Sequence, residues 1–203
     1  VAGRSKLKMD KVVFLDRDGT LNKEVNYLYK PEDMELFSDV PESIKRLNQA
    51  GYKVVVITNQ AGVARGYYTE EDVNRLHQYM NQVLSLSGAH IDKFYYCPHH
   101  PHHGIGKYKT ECSCRKPGTG MFQMAEQEFS IDKKASYMIG DKLIDVEAGN
   151  KYGVPGILIG TGYGKEFHSQ VKAGKAEKIY CFYASTMKEA VDFILSQESA
   201  PMI

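Results

Sequence analysis

No run of about 18 apolar residues occurs anywhere in the sequence, which excludes a membrane-crossing helix as its organising element. Neither sign of charge dominates. Lys and Arg number 26 against 25 Asp and Glu, so a net charge of +1 supplies no global field to draw in nucleic acid or a lipid surface. Any affinity for phosphate has to be local. Cysteine is scarce too: four in 203 residues are too few for a disulfide framework, and three of them crowd with histidines between residues 97 and 114, which points to a metal. The opening stretch VAGRSKLKMD is polar and lacks the apolar centre of a secretory signal, so the expectation is a soluble, cytoplasmic chain. The length suffices to bury a core without crosslinks, and residues 1–203 read as one domain.

What the sequence does contain is an alternation of short apolar runs with helical periodicity. Val12 to Leu15 and Val54 to Ile57 read as buried strands, with a helical stretch from Glu42 to Ala50 between them. Asn74 to Leu86 carries apolar residues at three- and four-residue steps, and Ile91 to Tyr96 follows as a strand. Helices are expected over Gly120 to Glu128, Leu143 to Tyr152 and Met187 to Leu195, and strands over Tyr137 to Ile139, Gly156 to Ile159 and Ile179 to Tyr183. Repeated βα units predict an α/β protein: a Rossmann-like open parallel sheet with helices on both faces, which binds its ligand at the carboxyl ends of the strands. Cys181, inside the last apolar run, is expected to be a buried inert thiol.

The residues directly after each strand carry the chemistry. Asp16-Arg17-Asp18-Gly19-Thr20 follows the first strand, and two carboxylates two residues apart at an extended strand end share a side and need a cation between them. A hard ion such as Mg²⁺ prefers such oxygen ligands. A solvated acidic turn would carry the same residues, but the apolar strand before the pair and Gly-Thr after it weigh against that. Thr58-Asn59-Gln60-Ala61-Gly62 follows the second strand and offers a hydroxyl and backbone N–H groups to phosphate oxygens, or simply caps a helix. Arg115 and Lys116 place two cations side by side, one able to clamp by two bonds and the other a point charge. Gly140-Asp141-Lys142 adds a third carboxylate able to complete the magnesium shell, while Asp145 one turn later orients it or caps a helix.

In this order the motifs resemble those of the haloacid dehalogenase superfamily of phosphatases. The first motif is matched by Asp16 to Thr20, the second by Thr58, the third by Lys116 and the fourth by Gly140-Asp141, over roughly residues 10–165. The resemblance implies covalent catalysis in two steps. Asp16 attacks phosphorus while Asp18 protonates the leaving oxygen, and Asp18 then activates water to hydrolyse the aspartyl phosphate. It also implies Mg²⁺ held by Asp16, the Asp18 backbone carbonyl and Asp141, with Thr58 and Lys116 on the phosphoryl oxygens. The wording of YYCPHHP, CSCRKP, ITNQAGVARG and MIGDK narrows it to members acting on the C7 phosphate of a heptose 1,7-bisphosphate, with histidinol phosphate as the rival substrate. By the same resemblance, Arg17, Glu24, Val25, Asn26, Tyr27, Asn59, Gln60, Ala61, Arg115 and Lys142 contact the substrate. Only short insertions separate the core elements, so no large cap domain is expected, and a small sugar phosphate is the expected partner of a monomer.

Cys97, His99, Cys112 and Cys114 offer three thiolates and one imidazole, a tetrahedral set for a structural Zn²⁺ in a loop over about residues 97–114. His100, His102 and His103 compete for the imidazole place, and the family pattern favours His99. The loop runs directly into Arg115-Lys116, so zinc is expected to set those cations over the phosphate. A zinc-stabilised binding module without turnover is the reading from another class. It leaves Asp16, Asp18, Lys116 and Asp141 without a purpose.

Overall fold

The computed structural model describes residues 9–198. The N-terminal stretch weighed above for a secretory signal lies, up to residue 8, outside the described residues. Six strands form one sheet, all neighbours parallel: β1 (Val12–Leu15), β2 (Lys53–Asn59), β3 (Lys93–Cys97), β4 (Tyr137–Gly140), β5 (Gly156–Ile159) and β6 (Phe182–Ala184). Their order is β3-β2-β1-β4-β5-β6, so the chain winds one way from β1 and then the other. The reversal leaves a crevice at the carboxyl ends of β1 and its neighbours.

Among the described residues, six α-helices connect the strands, α1 (Val40–Gln49), α2 (Ala61–Ala64), α3 (Glu70–Ser85), α4 (Gly120–Glu126), α5 (Leu143–Tyr152) and α6 (Gly164–Lys172), and α7 (Met187–Glu198) follows β6. Strand alternation divides the core between two faces. Val13, Leu15, Val54 and Val56 pack with α1, α3 and α7 through Ile44, Leu47, Met80, Leu84 and Ile194. Val12, Phe14, Val55 and Ile57 point the other way, onto Met121 and Phe122 of α4 and Ala148 and Tyr152 of α5. With both faces covered, every residue of β1 and β5 is buried, which is why these strands read as unbroken apolar runs. The two longest connections among the described residues, 16–39 and 98–119, both leave the carboxyl ends of strands.

The sequence expectations fail where local interactions override a weak pattern. β3 begins at Lys93 and not at Ile91, because the Asn81 side chain brackets Ile91, accepting from its N–H (2.8 Å) and donating to its carbonyl (2.9 Å). The last strand is shorter and later than Ile179 to Tyr183: the Ile179 carbonyl accepts from Asn150 Nδ2 at 2.8 Å, and pairing starts at Phe182. Cys181 is exposed, a correction to the buried thiol expected there, since it lies just outside a short edge strand. Helix α6 was not foreseen at all.

Candidate active site

The register carries the motifs to one place. Leu15 pairs with Val56 on one side and Ile139 on the other, so Asp16, Thr58 and Asp141 emerge at the same end of three adjacent strands. The Asp16 N–H still donates to the Ile139 carbonyl at 3.0 Å. Beyond it the chain leaves the strand, with the N–H groups of Thr20 and Leu21 turning back onto the Arg17 carbonyl. Gly19 takes φ +79° in this turn, and a Cβ there would stand 2.4 Å from Asp141 Oδ2.

Asp16, Asp141 and Asp145 are all buried and offer carboxylate oxygens within 4.8 Å of one another. Asp141 Oδ2 accepts from the Tyr163 N–H at 3.0 Å, while its Oδ1 is buried with no partner. An unpartnered buried oxygen beside two further carboxylates is a donor set that fits Mg²⁺. Burial, with Asp16 and Asp145 adding to it, pushes Asp141 up to about 7. Asp145 rises to about 6, again by burial first and then by Asp16. Gly162 closes the pocket, since a Cβ on it would meet Asp141 Oδ2 at 2.1 Å.

Lys116 is buried between Asp145 Oδ1 (2.7 Å) and Asp16 Oδ1 (2.8 Å) and also donates to the Ile57 carbonyl (2.8 Å). Burial disfavours its charge, but the two carboxylates outweigh that and raise its pKa. Of the two roles weighed for Asp145, the helix cap is the one seen: Oδ2 accepts from the Lys142 N–H at the start of α5 (3.0 Å), while Oδ1 pairs with Lys116 and not with Asp141.

The Asp18 carboxylate lies outside the cluster that Asp16 forms with Asp141 and Asp145, where the strand-end argument placed the two side by side. The chain is already turning at residue 18, and the Asp18 carboxylate is held by Arg17 Nε (3.1 Å), Arg17 Nη2 (3.0 Å), Asn22 Nδ2 (3.0 Å) and Gln60 Nε2 (3.1 Å). Burial works to raise its pKa, but Arg17 and these hydrogen bonds prevail and hold it below the usual carboxylate range.

A cavity of about 250 Å³ opens over these groups. Of the expected substrate contacts, Glu24, Asn26, Tyr27, Ala61, Arg115 and Lys142 line it. Arg17 does not: its side chain is fully buried beneath Asp18, so it supports the site from below. Val25 points elsewhere and is exposed. Asn59 and Gln60 line the cavity, but their amides are already engaged. Asn59 accepts from the Lys116 N–H (2.9 Å) and donates to its carbonyl (3.1 Å). Gln60 Nε2 also donates to Thr58 Oγ1 at 2.8 Å, which leaves the Thr58 hydroxyl proton available to a ligand. Tyr68, Ile144 and Tyr163 are lining residues that no sequence motif marked.

Cys97, His99, Cys112 and Cys114 place three sulfurs and one imidazole nitrogen within 4.8 Å of one another. Cys114 Sγ stands 2.9 Å from Cys97 Sγ and 3.6 Å from His99 Nδ1. The Cys114 thiol donates to the Cys97 sulfur, which pulls Cys97 down to about 6 and pushes Cys114 up. His100 is engaged otherwise, its Nδ1 accepting from the N–H groups of His102 (3.1 Å) and His103 (3.0 Å). The loop reaches the site through Arg115, which donates to the His99 carbonyl at 3.3 Å.

A model of the family described as polynucleotide kinase 3 phosphatase matches residues 11–181. A D-glycero-alpha-D-manno-heptose-1,7-bisphosphate 7-phosphatase from Photorhabdus laumondii is 44% identical over 154 residues, covering 75% of this chain and 84% of its own. A D-glycero-beta-D-manno-heptose-1,7-bisphosphate 7-phosphatase from Haemophilus ducreyi is also 44% identical, with the same two coverages. Among solved structures, the D,D-heptose 1,7-bisphosphate phosphatase of B. bronchiseptica, complexed with magnesium and phosphate, superposes with a TM-score of 0.79 at 29% identity, covering 92% of this chain and 99% of its own.

Proposed function

The chain belongs to the family drawn by the polynucleotide kinase 3 phosphatase model and groups with the D-glycero-D-manno-heptose-1,7-bisphosphate 7-phosphatases of the haloacid dehalogenase superfamily, and from that membership we propose how its residues divide the work. It is a magnesium-dependent phosphatase that releases the C7 phosphate of a heptose 1,7-bisphosphate and leaves the 1-phosphate, a step toward nucleotide-activated heptose. One observation supports the assignment of roles: Asp16, Asp18, the buried Lys116 and a cluster of three carboxylates converge at the switch point of one sheet.

Asp16 is the nucleophile, and Lys116, 2.8 Å from its Oδ1, draws the phosphoryl group to it by charge. Thr58 donates its free hydroxyl proton to a second phosphoryl oxygen. Asp18 gives a proton to the leaving sugar oxygen and takes one back from water in the second step. Its carboxylate is ionised in the free site, so it takes up that proton as the substrate dianion enters beside it. Asp16, Asp141 and the Asp18 carbonyl would hold Mg²⁺, with Asp145 the third carboxylate of the pocket, and the bound ion would neutralise charge on nucleophile and phosphate. Glu24, Tyr27, Arg115 and Lys142 face the sugar and the second phosphate, with Arg17, Asn59 and Gln60 supporting from behind.

The thiol cluster holds a structural Zn²⁺ through Cys97, His99, Cys112 and Cys114, and zinc fixes the loop that carries Arg115 and Lys116. Thiols kept reduced for zinc suit a cytoplasmic enzyme. One domain acting as a monomer completes the reading.

The test is phosphate release with Mg²⁺ from heptose 1,7-bisphosphate, histidinol phosphate and a 3′-phosphorylated oligonucleotide side by side, with Asp16→Asn as control. The bisphosphate is expected to be strongly preferred. Preference for histidinol phosphate or the oligonucleotide would reassign the substrate.

A further inference from the structure

Arg17 is the largest fully buried side chain among the described residues, and it does not line the cavity. Its five N–H donors have to be satisfied inside the protein. One edge, Nε and Nη2, forms a two-bond fork on the Asp18 carboxylate. Nη2 also reaches the Leu28 carbonyl and Gln60 Oε1, both at 3.1 Å. The remaining nitrogen, Nη1, has one recorded partner: His77 Nε2 at 3.1 Å. A guanidinium cannot accept, so His77 Nε2 is the acceptor and the imidazole is neutral, its proton on Nδ1.

His77 is itself held. It projects from α3, is 4% exposed, lies parallel to Phe94 of β3 (centroids 4.5 Å apart, planes 14° apart) and meets the edge of Tyr96 at 6.0 Å. A rigid line of contacts thus runs from β3 through His77 and Arg17 to both oxygens of Asp18. Because the guanidinium is planar, fixing Nη1 fixes the orientation of the Nε–Nη2 edge.

We propose that His77 is a positioning residue for proton transfer: by accepting from Arg17 Nη1 it locks the guanidinium that aims the Asp18 carboxylate at the leaving oxygen. This rests on the reading of Asp18 as the acid and base. Removing the acceptor leaves a buried donor pair unsatisfied, and a guanidinium tilted to find another partner takes the carboxylate with it.

The test uses the leaving group. Transfer from a sugar phosphate needs a proton on the departing alkoxide, whereas p-nitrophenol departs without one. kcat/KM covers only the steps through phosphoryl transfer, so it isolates the acid role from the later hydrolysis common to both substrates. In His77→Phe, which keeps the ring against Phe94 and lacks the acceptor, kcat/KM for the heptose bisphosphate is expected to fall at least about tenfold, within the 100- to 10,000-fold that general acid–base catalysis contributes. For p-nitrophenyl phosphate it stays near wild type. His77→Gln, whose amide oxygen can accept, restores most of the loss. His77→Asn, with a carbonyl too short to reach, repeats it and serves if the Phe variant does not fold.

Equal losses on both substrates, or the same activity in the Gln and Asn variants, would overturn the proposal and make His77 a packing residue. Wild-type enzyme that releases no phosphate from the bisphosphate while splitting the aryl phosphate would sink the substrate reading instead.

Discussion

Replacing Asp141 with Asn should disable the enzyme and stabilise it. In the metal-free protein Asp141 has one oxygen without a partner and two carboxylates as neighbours, and burial with that repulsion moves its pKa from 3.8 to about 7. At about 1.4 kcal/mol per pKa step, holding Asp141 ionised in the fold costs roughly 4 kcal/mol. The sign follows from proton counting. Between pH 3.8 and about 7 the folded protein keeps a proton that the unfolded chain has released, so stability falls as pH rises through that window. Asp141→Asn removes the charge. Its stability advantage over wild type should be near zero at pH 4 and grow to a few kcal/mol by pH 8. The assay is urea unfolding of both proteins at the two pH values after dialysis free of magnesium and without chelator, so that the zinc proposed for the thiolate site would not be stripped. Mg²⁺ at 100 times its Kd should then stabilise wild type by about 2.7 kcal/mol and leave the variant unmoved. A variant less stable than wild type at pH 8, or a pH-independent difference between them, would refute the reasoning. Function would then not be what keeps three carboxylates together.

Gly162→Ala places a methyl 2.1 Å from Asp141 Oδ2, so Mg²⁺ affinity read by titration of activity should drop at least about tenfold while the fold survives. Lys116→Met leaves Asp16 and Asp145 buried without their shared cation, and should lower stability by about 3–5 kcal/mol at neutral pH, less at pH 5 where Asp145 takes a proton, as urea unfolding would record. If the Cys/His cluster holds zinc as proposed, metal analysis should find about one zinc per wild-type chain and less in Cys112→Ser, whose activity should fall although no residue of the cluster lines the cavity.

The sheet was readable because its strands are buried on both faces. Gly156–Ile159 and α5 were expected at the bounds they have, each closed by a glycine or a helix start. Helix α6 escaped because GKEFHSQVK offers only Phe167 and Val171 as an apolar stripe, too little for periodicity to register. The first-motif carboxylates were found, but their relation was misread. Strand alternation gives the i and i+2 rule, and the chain stops being a strand at Leu15. What neutralises Asp18 is Arg17, one residue away, and what joins Asp16 and Asp141 as the third clustered carboxylate is Asp145, which only the packing of α5 against β4 brings beside Asp16. The engagement of Asn59 and Gln60 with Lys116, Asp18 and Thr58 was likewise invisible, because an amide after a strand looks the same whether it faces a ligand or a neighbouring loop.

The central claim is that Asp16 takes the phosphoryl group. Rapid quenching of the enzyme during turnover of the bisphosphate, followed by mass measurement of the peptide containing Asp16, tests it most directly. The account predicts that this peptide gains one phosphoryl group in wild type and that Asp16→Asn shows neither the gain nor phosphate release. A phosphoryl group on any other residue, or turnover surviving in Asp16→Asn, would contradict it.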